Sequence, residues 1–263
     1  MIEKESINQL IELSNQYNRE CWFEGDPIIF PKHFSLLMQG KPGIFSQESN
    51  IDTKSRKIKL QDVEIAGIIA AHLAWGRRDM IIRDCKRAFE QMSWSPYEYV
   101  MDGKYKDDDA SLHRTIKWSE FALICGNLKE FYSHNSSLEI LTAEQIRVQI
   151  FGQKSNPKAA NKKIHMFCRW MVRNDGIVDL GLWKNSSPAD LIIPLDVHVH
   201  RSARTLGITA RNSADITTAL EITDFLKKLF PDDPCKGDFA LFAYAATMKK
   251  EQEESNKRKS QEK

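Results

Sequence analysis

Long apolar runs, paired cysteines and a charge imbalance are all missing from this sequence. No apolar stretch approaches the roughly 20 residues that a bilayer-spanning helix requires, so no membrane association is expected. The five cysteines, Cys21, Cys85, Cys125, Cys168 and Cys235, stand far apart without a C-x-x-C pair, which excludes a zinc knuckle or a cysteine-ligated iron–sulfur cluster. Their odd, scattered count also argues against a disulfide framework and for a reducing compartment. Lysine and arginine total 38 against 36 acidic residues, a net charge of +2, so a polyanion would have to be met by a local basic surface. The opening MIEKESINQLIELSNQYNRE spaces its apolar residues instead of running them together. That is not a signal-peptide pattern, and it points to a cytoplasmic protein. The 263 residues suffice for one large domain or two small ones sharing an interface. No cofactor is expected, and the chain is expected to act as a monomer.

What is present is helical periodicity. Ile7, Leu10, Ile11 and Tyr17 recur at helix spacing behind Ser6. Residues 24–57 carry Gly, Pro and Ser with little period, an irregular connection with a short helix around 31–39. DVEIAGIIAAHLAWG predicts a slim core helix capped by Asp62 and stopped by Gly76. Further helices are expected over 79–92, from SPYEYV, over 112–125 and over 138–150, with 127–134 ambiguous. In KAANKKIHMFCRWMVR, Ile164, Phe167, Cys168 and Met171 share a helix face. A short helix over 197–206 should stop at Gly207, Ser213 should cap one ending near Phe230, and DFALFAYAATM should form a last buried one. Residues 251–263 mix both charge signs without an apolar residue and read as a disordered tail. Strand signals are few, so the expected fold class is all-α.

One stretch concentrates chemistry: IIPLDVHVHR, residues 192–201. Asp196 can cap the helix that follows, leaving Leu195, Val199, Ala203 and Leu206 on one side. Read as a strand, the same stretch would turn Asp196, His198 and His200 to one face, half of a site for a metal-dependent hydrolase. On a helix those histidines diverge by about 200° and cannot easily share an ion. The third reading makes Asp196 a catalytic carboxylate.

That third reading comes from a resemblance. IIPLDVHVHRSARTLGI resembles the helix-hairpin-helix DNA glycosylase superfamily, whose catalytic Asp opens a helix in a similar apolar–Asp run. YNRECWFEGDPIIFPKHF, DVEIAGIIAAHLAWGRRDMI, SPYEYV, NKKIHMFCRWMVRNDGIVDLGLW and DPCKGDFALFAYA together resemble a bacterial family of unknown function. That family is a distant relative of the superfamily, similar to its archaeal 8-oxoguanine glycosylase branch. The resemblance implies a two-lobed, glycosylase-like helical domain over 1–250, with 60–195 in one lobe, 1–59 and 196–250 in the other, and the site in the cleft. It implies DNA as partner and excision of a damaged base such as 8-oxoguanine, with a lyase step open to a lysine nucleophile. That lysine is Lys162, with Lys163 as the alternative, and Asp196 stabilises the sugar cation.

The resemblance departs at the hairpin. GQKSNPKAANKK has one glycine at its start where the superfamily has a G-x-G that approaches a phosphate. Lys154 and Lys158 are expected to supply that phosphate affinity, together with Arg201, Arg204 and Arg169, the last four residues before Arg173. Trp170 and Asp238 are the expected base-pocket residues, with Trp75 and Trp183 as further stacking candidates. The rivals are a nucleic-acid-binding protein of the same fold that does not cut, and the metal hydrolase built on Asp196, His198 and His200. No metal is expected.

Overall fold

The computed structural model describes residues 4–45 and 57–244. The expected tail at 251–263 and the end of the last helix beyond 244 lie outside the described residues. Helices dominate, as the periodicity predicts, and the described residues add one two-stranded antiparallel sheet. No helix among the described residues is long and apolar enough to cross a membrane. The chain divides into two compact units, each discontinuous in sequence. The larger holds Glu20–Pro157 and Met166–Ser186, and the smaller Met1–Arg19, Lys158–His165 and Ser187–Lys263.

The larger unit includes α2 (Ile29–Met38), α3 (Leu60–Leu73), α4 (Arg78–Gln91), α5 (Pro96–Asp102) and α6 (Trp118–His134). All of α3 from Asp62 onward is buried, as befits a helix apolar nearly all round. Asp62 does not cap it from the front. It sits in the first turn and accepts the N–H of Lys59 at 2.9 Å and that of Tyr97 at 3.0 Å, joining α3 to α5. A Cβ on Gly67 would lie 2.6 Å from the Phe167 ring, so glycine lets that ring press on the helix. Buried Glu64 accepts from Tyr132 Oη (2.9 Å), Ser137 Oγ (2.6 Å), Trp183 Nε1 (2.7 Å) and the Leu138 N–H (3.2 Å). Burial pushes its carboxyl pKa up while those donors pull it down. Phe34, Phe45 and Trp94 surround His33, which is fully buried and accepts the Phe45 N–H at Nδ1.

The helix expected over 112–125 does not form as drawn. Its first part is a hairpin, β1 (Ser111–His113) paired with β2 (Ile116–Lys117), and α6 begins only at Trp118. Tertiary partners override the local pattern here. Buried His113 lies 2.8 Å from the Asp84 carboxylate through Nδ1 and 2.9 Å from the Trp75 carbonyl through Nε2, and Arg87 donates to the Leu112 carbonyl. The stretch 138–150 is likewise broken, into a 3-10 turn (Leu138–Ile140), α7 (Ala143–Gln145) behind a Thr142–Gln145 capping box, and a π-helical run (Ile146–Ile150).

The smaller unit holds α1 (Lys4–Tyr17), the start of α8 (Lys162–Val172), α9 (Val197–Thr205), α10 (Ile216–Leu229) and a helical run over 236–244. Leu195, Val199 and Ala203 are buried at i, i+4 spacing, as predicted. Burying each such aliphatic side chain stabilises by roughly 1.5–3 kcal/mol for the larger ones. Asp215, not Ser213, caps α10, accepting the Thr218 N–H at 3.0 Å. The Ile216 N–H donates to the Lys158 carbonyl and the Ile193 N–H to Thr223 Oγ1, so α10 anchors both segments that precede the candidate site residues.

Candidate functional site

Asp196 ends an extended segment and starts α9. Its Oδ1 accepts the backbone N–H groups of His198 at 2.8 Å and Val199 at 2.9 Å, so it is an N-cap. Capping occupies one oxygen. The other, Oδ2, lies 3.7 Å from Nζ of Lys162. Lys162 is the first residue of α8, which starts four residues later than the pattern KAANKK suggests. Asn161 stands before it at φ 45°, a left-handed conformation that asparagine tolerates, and its carbonyl accepts from Ile164 and His165. That abrupt start sets the lysine at the mouth of the helix. The Lys162 and Asp196 side chains are 36% and 19% exposed, so a solute can reach both. An amine beside a carboxylate can attack an electrophilic carbon while the acid takes a proton or faces a developing cation.

Lys163 is also partly exposed, and its side chain leaves the helix about 100° from that of Lys162. His165 follows Lys162 by one turn and was not singled out by the sequence. It is 6% exposed, its Nε2 has no hydrogen-bond partner, and burial holds its pKa down to about 4. Lys154 and Lys158 are exposed. The Lys154 carbonyl accepts from Arg147 at 3.0 Å, and Glu144 accepts from Ser155 and from the Asn156 N–H, which fixes that turn without a G-x-G.

Beside the cap, α9 borders a surface groove of about 670 Å³, lined by Val197, His200, Arg201, Arg204, Thr205 and Asn212 among others. Neither Lys162 nor Asp196 lines it.

Two expected ligands have other places. Arg169, expected on a phosphate, is buried in the larger unit, with Nε 3.3 Å from Asp179. Arg173 donates to the same carboxylate at 3.0 Å and to Asp175 at 2.7 Å. The four-residue spacing that suggested a basic surface is an internal ion cluster, because Asp179 returns under the helix. Trp170, expected in the base pocket, is fully buried. Trp183 is bound to Glu64, and Trp75 carries the Arg114 guanidinium 4.1 Å above its ring. Asp238 is 5% exposed at the start of the last helical run.

The strand needed for the metal reading is absent from this stretch. His198 is exposed and meets Phe242 edge-on, while His200 Nε2 lies 3.0 Å from the Arg211 carbonyl. Among the described residues no group of three or more His, Cys, Asp or Glu is arranged to hold a metal ion.

Fold and site together define a mostly helical protein that sets a lysine and an aspartate against each other at the starts of two helices. The chain belongs to the family described as Protein of unknown function (DUF2400), whose model matches residues 51–150 and 141–247 and so spans both Lys162 and Asp196. Comparison with the curated proteins gives no match, nor does comparison with the solved structures.

Proposed function

We propose that the protein is a DNA repair glycosylase that excises a damaged base such as 8-oxoguanine, with Lys162 as nucleophile and Asp196 as its partner. The observation that carries this reading is the 3.7 Å approach of Lys162 Nζ to Asp196 Oδ2, two residues selected from the helix-hairpin-helix resemblance and 34 positions apart (196 − 162). In this reading the bond from the base to C1′ breaks, and the base leaves with the electron pair and is protonated. The lysine nitrogen bonds to C1′, and loss of the amine protons with ring opening gives a Schiff base that permits strand cleavage. The free oxygen of Asp196 faces the cationic sugar and accepts a proton from the amine. Its other oxygen, held by two N–H groups, fixes the orientation of the carboxylate. Lys154 and Lys158, exposed around the turn before α8, supply phosphate contacts.

A non-catalytic nucleic-acid-binding protein is the second reading, favoured by Gly152 being the one glycine in the hairpin sequence 152–163. Borohydride trapping on duplexes carrying 8-oxoguanine or an abasic site separates the two. A covalent adduct that disappears in Lys162→Ala supports the enzyme. Binding without an adduct supports the module.

A further inference from the structure

Arg201 and Arg204 stand three residues apart on α9, one turn above the other, and both are exposed. Among the described residues neither guanidinium has an ion-pair, hydrogen-bond or ring partner. Their neighbour Arg211 shows the contrast. It donates to Asp215 at 2.8 and 3.1 Å and to Thr218 at 2.8 Å, so its charge is neutralised within the fold.

The two unpaired cations face a concavity that is already built. Its far wall is the turn 207–212, pinned to α9 by Gly207 N–H to the Arg204 carbonyl (3.0 Å), Ile208 N–H to the Ala203 carbonyl (2.8 Å) and His200 Nε2–H to the Arg211 carbonyl (3.0 Å). Gly207, at φ +69°, leaves its backbone open: a Cβ there would meet nothing within 4 Å. The lining holds no Asp or Glu, and Glu221 meets it through the Thr209 hydroxyl, 3.0 Å away. Thr205 and Asn212 add exposed polar groups at the rim. A guanidinium fork binds phosphate oxygens two at a time, and two forks one helical turn apart match successive phosphates along a strand better than a single small anion.

We infer that this groove is a backbone subsite that seats consecutive phosphodiesters of a nucleic-acid strand, separately from the chemistry of Lys162 and Asp196. The inference rests on the nucleic-acid reading above and adds where the strand is gripped. Arginine to alanine on an exposed helix face leaves the helix intact, since alanine is the stronger helix former.

The test measures binding of the full chain to a labelled duplex bearing a non-cleavable abasic analogue, by fluorescence anisotropy over a salt series. Three proteins are compared: wild type, Arg201→Ala/Arg204→Ala, and Lys227→Ala/Lys228→Ala, which removes the same charge from α10. The groove variant should bind about tenfold or more weakly and lose about 1–2 from the slope of log affinity on log salt, at roughly 0.9 per phosphate contact. The α10 variant should keep the wild-type slope. An unchanged slope in the groove variant overturns the inference, and so does an equal loss in the α10 variant. Inorganic phosphate or a mononucleotide displacing the duplex at equal phosphate concentration would make this a small-anion site and also overturn it. In those cases wild-type binding and trapping persist. If wild type binds no duplex at all, the nucleic-acid reading fails and the subsite with it.

Discussion

Replacing Asp196 by asparagine and by alanine separates its capping role from its proposed chemical one. The carboxylate holds two N–H groups of α9 at 2.8 and 2.9 Å through one oxygen and faces Lys162 at 3.7 Å through the other. Removing an N-cap costs about 1 kcal/mol, within a range of about 0.5–2. The pair with Lys162 adds at most about 1 kcal/mol, because solvent reaches both side chains. Asp196→Ala should therefore cost about 2 kcal/mol. Asparagine caps as well as aspartate, so Asp196→Asn forfeits the charge alone and should cost at most about 1 kcal/mol. Each kcal/mol corresponds to about 2–4 °C in Tm for a chain near this size. Urea unfolding followed by tryptophan fluorescence reads the stabilities, and borohydride trapping reads the chemistry. Asp196→Asn should be nearly as stable as wild type and yet form no adduct. Equal destabilisation of the two variants would refute the capping argument. Wild-type trapping by Asp196→Asn would refute the need for its charge.

Three further outcomes follow from buried groups. Asp179→Ala strands Arg169 and Arg173 without their shared carboxylate, and chemical denaturation should show a loss of about 3–5 kcal/mol. Burial holds His33 and His165 down to about 4, below the ordinary histidine value of 6.5. The folded chain therefore resists protons that the unfolded chain binds. Stability is fully present above about pH 6.5 and declines as pH falls toward about 4, by up to about 3 kcal/mol per histidine. Denaturation midpoints across that range check it, and His165→Leu should flatten part of the decline. Gly67→Ala places a Cβ 2.6 Å from the Phe167 ring, so overpacking should outweigh the gain in helix propensity and cost about 1–3 kcal/mol, read as a lower urea midpoint.

The sequence made α3, α8 and α9 legible because their apolar residues recur at helix spacing, and Asp196 and Gly207 mark the two ends of α9. The resemblance to the helix-hairpin-helix glycosylases, not any periodicity, pointed to Lys162 and Asp196, which stand 3.7 Å apart. What it hid depends on partners distant along the chain. Glu64 meets Trp183 across 119 positions, and His113 meets Asp84 across 29. No periodicity reports such pairs, so the pattern over 112–125 predicts a helix where the chain forms a hairpin up to Lys117. Arg169 and Arg173 look like a solvated face until Asp179 is seen to fold back on them. An earlier signal was available in GIVDLGLW, where an acid stands within an otherwise apolar run. His165 gave no signal, since a lone histidine in a helix does not announce its burial.

In the proposed reaction the nitrogen of the Lys162 amine is the atom that bonds to the sugar. Peptide mapping by mass spectrometry of the borohydride-reduced complex with an abasic duplex tests it directly. The sugar remnant is expected on Lys162, with Lys163 unmodified and no adduct in Lys162→Ala. A remnant carried by Lys163, by the N-terminal amine or by no residue contradicts it.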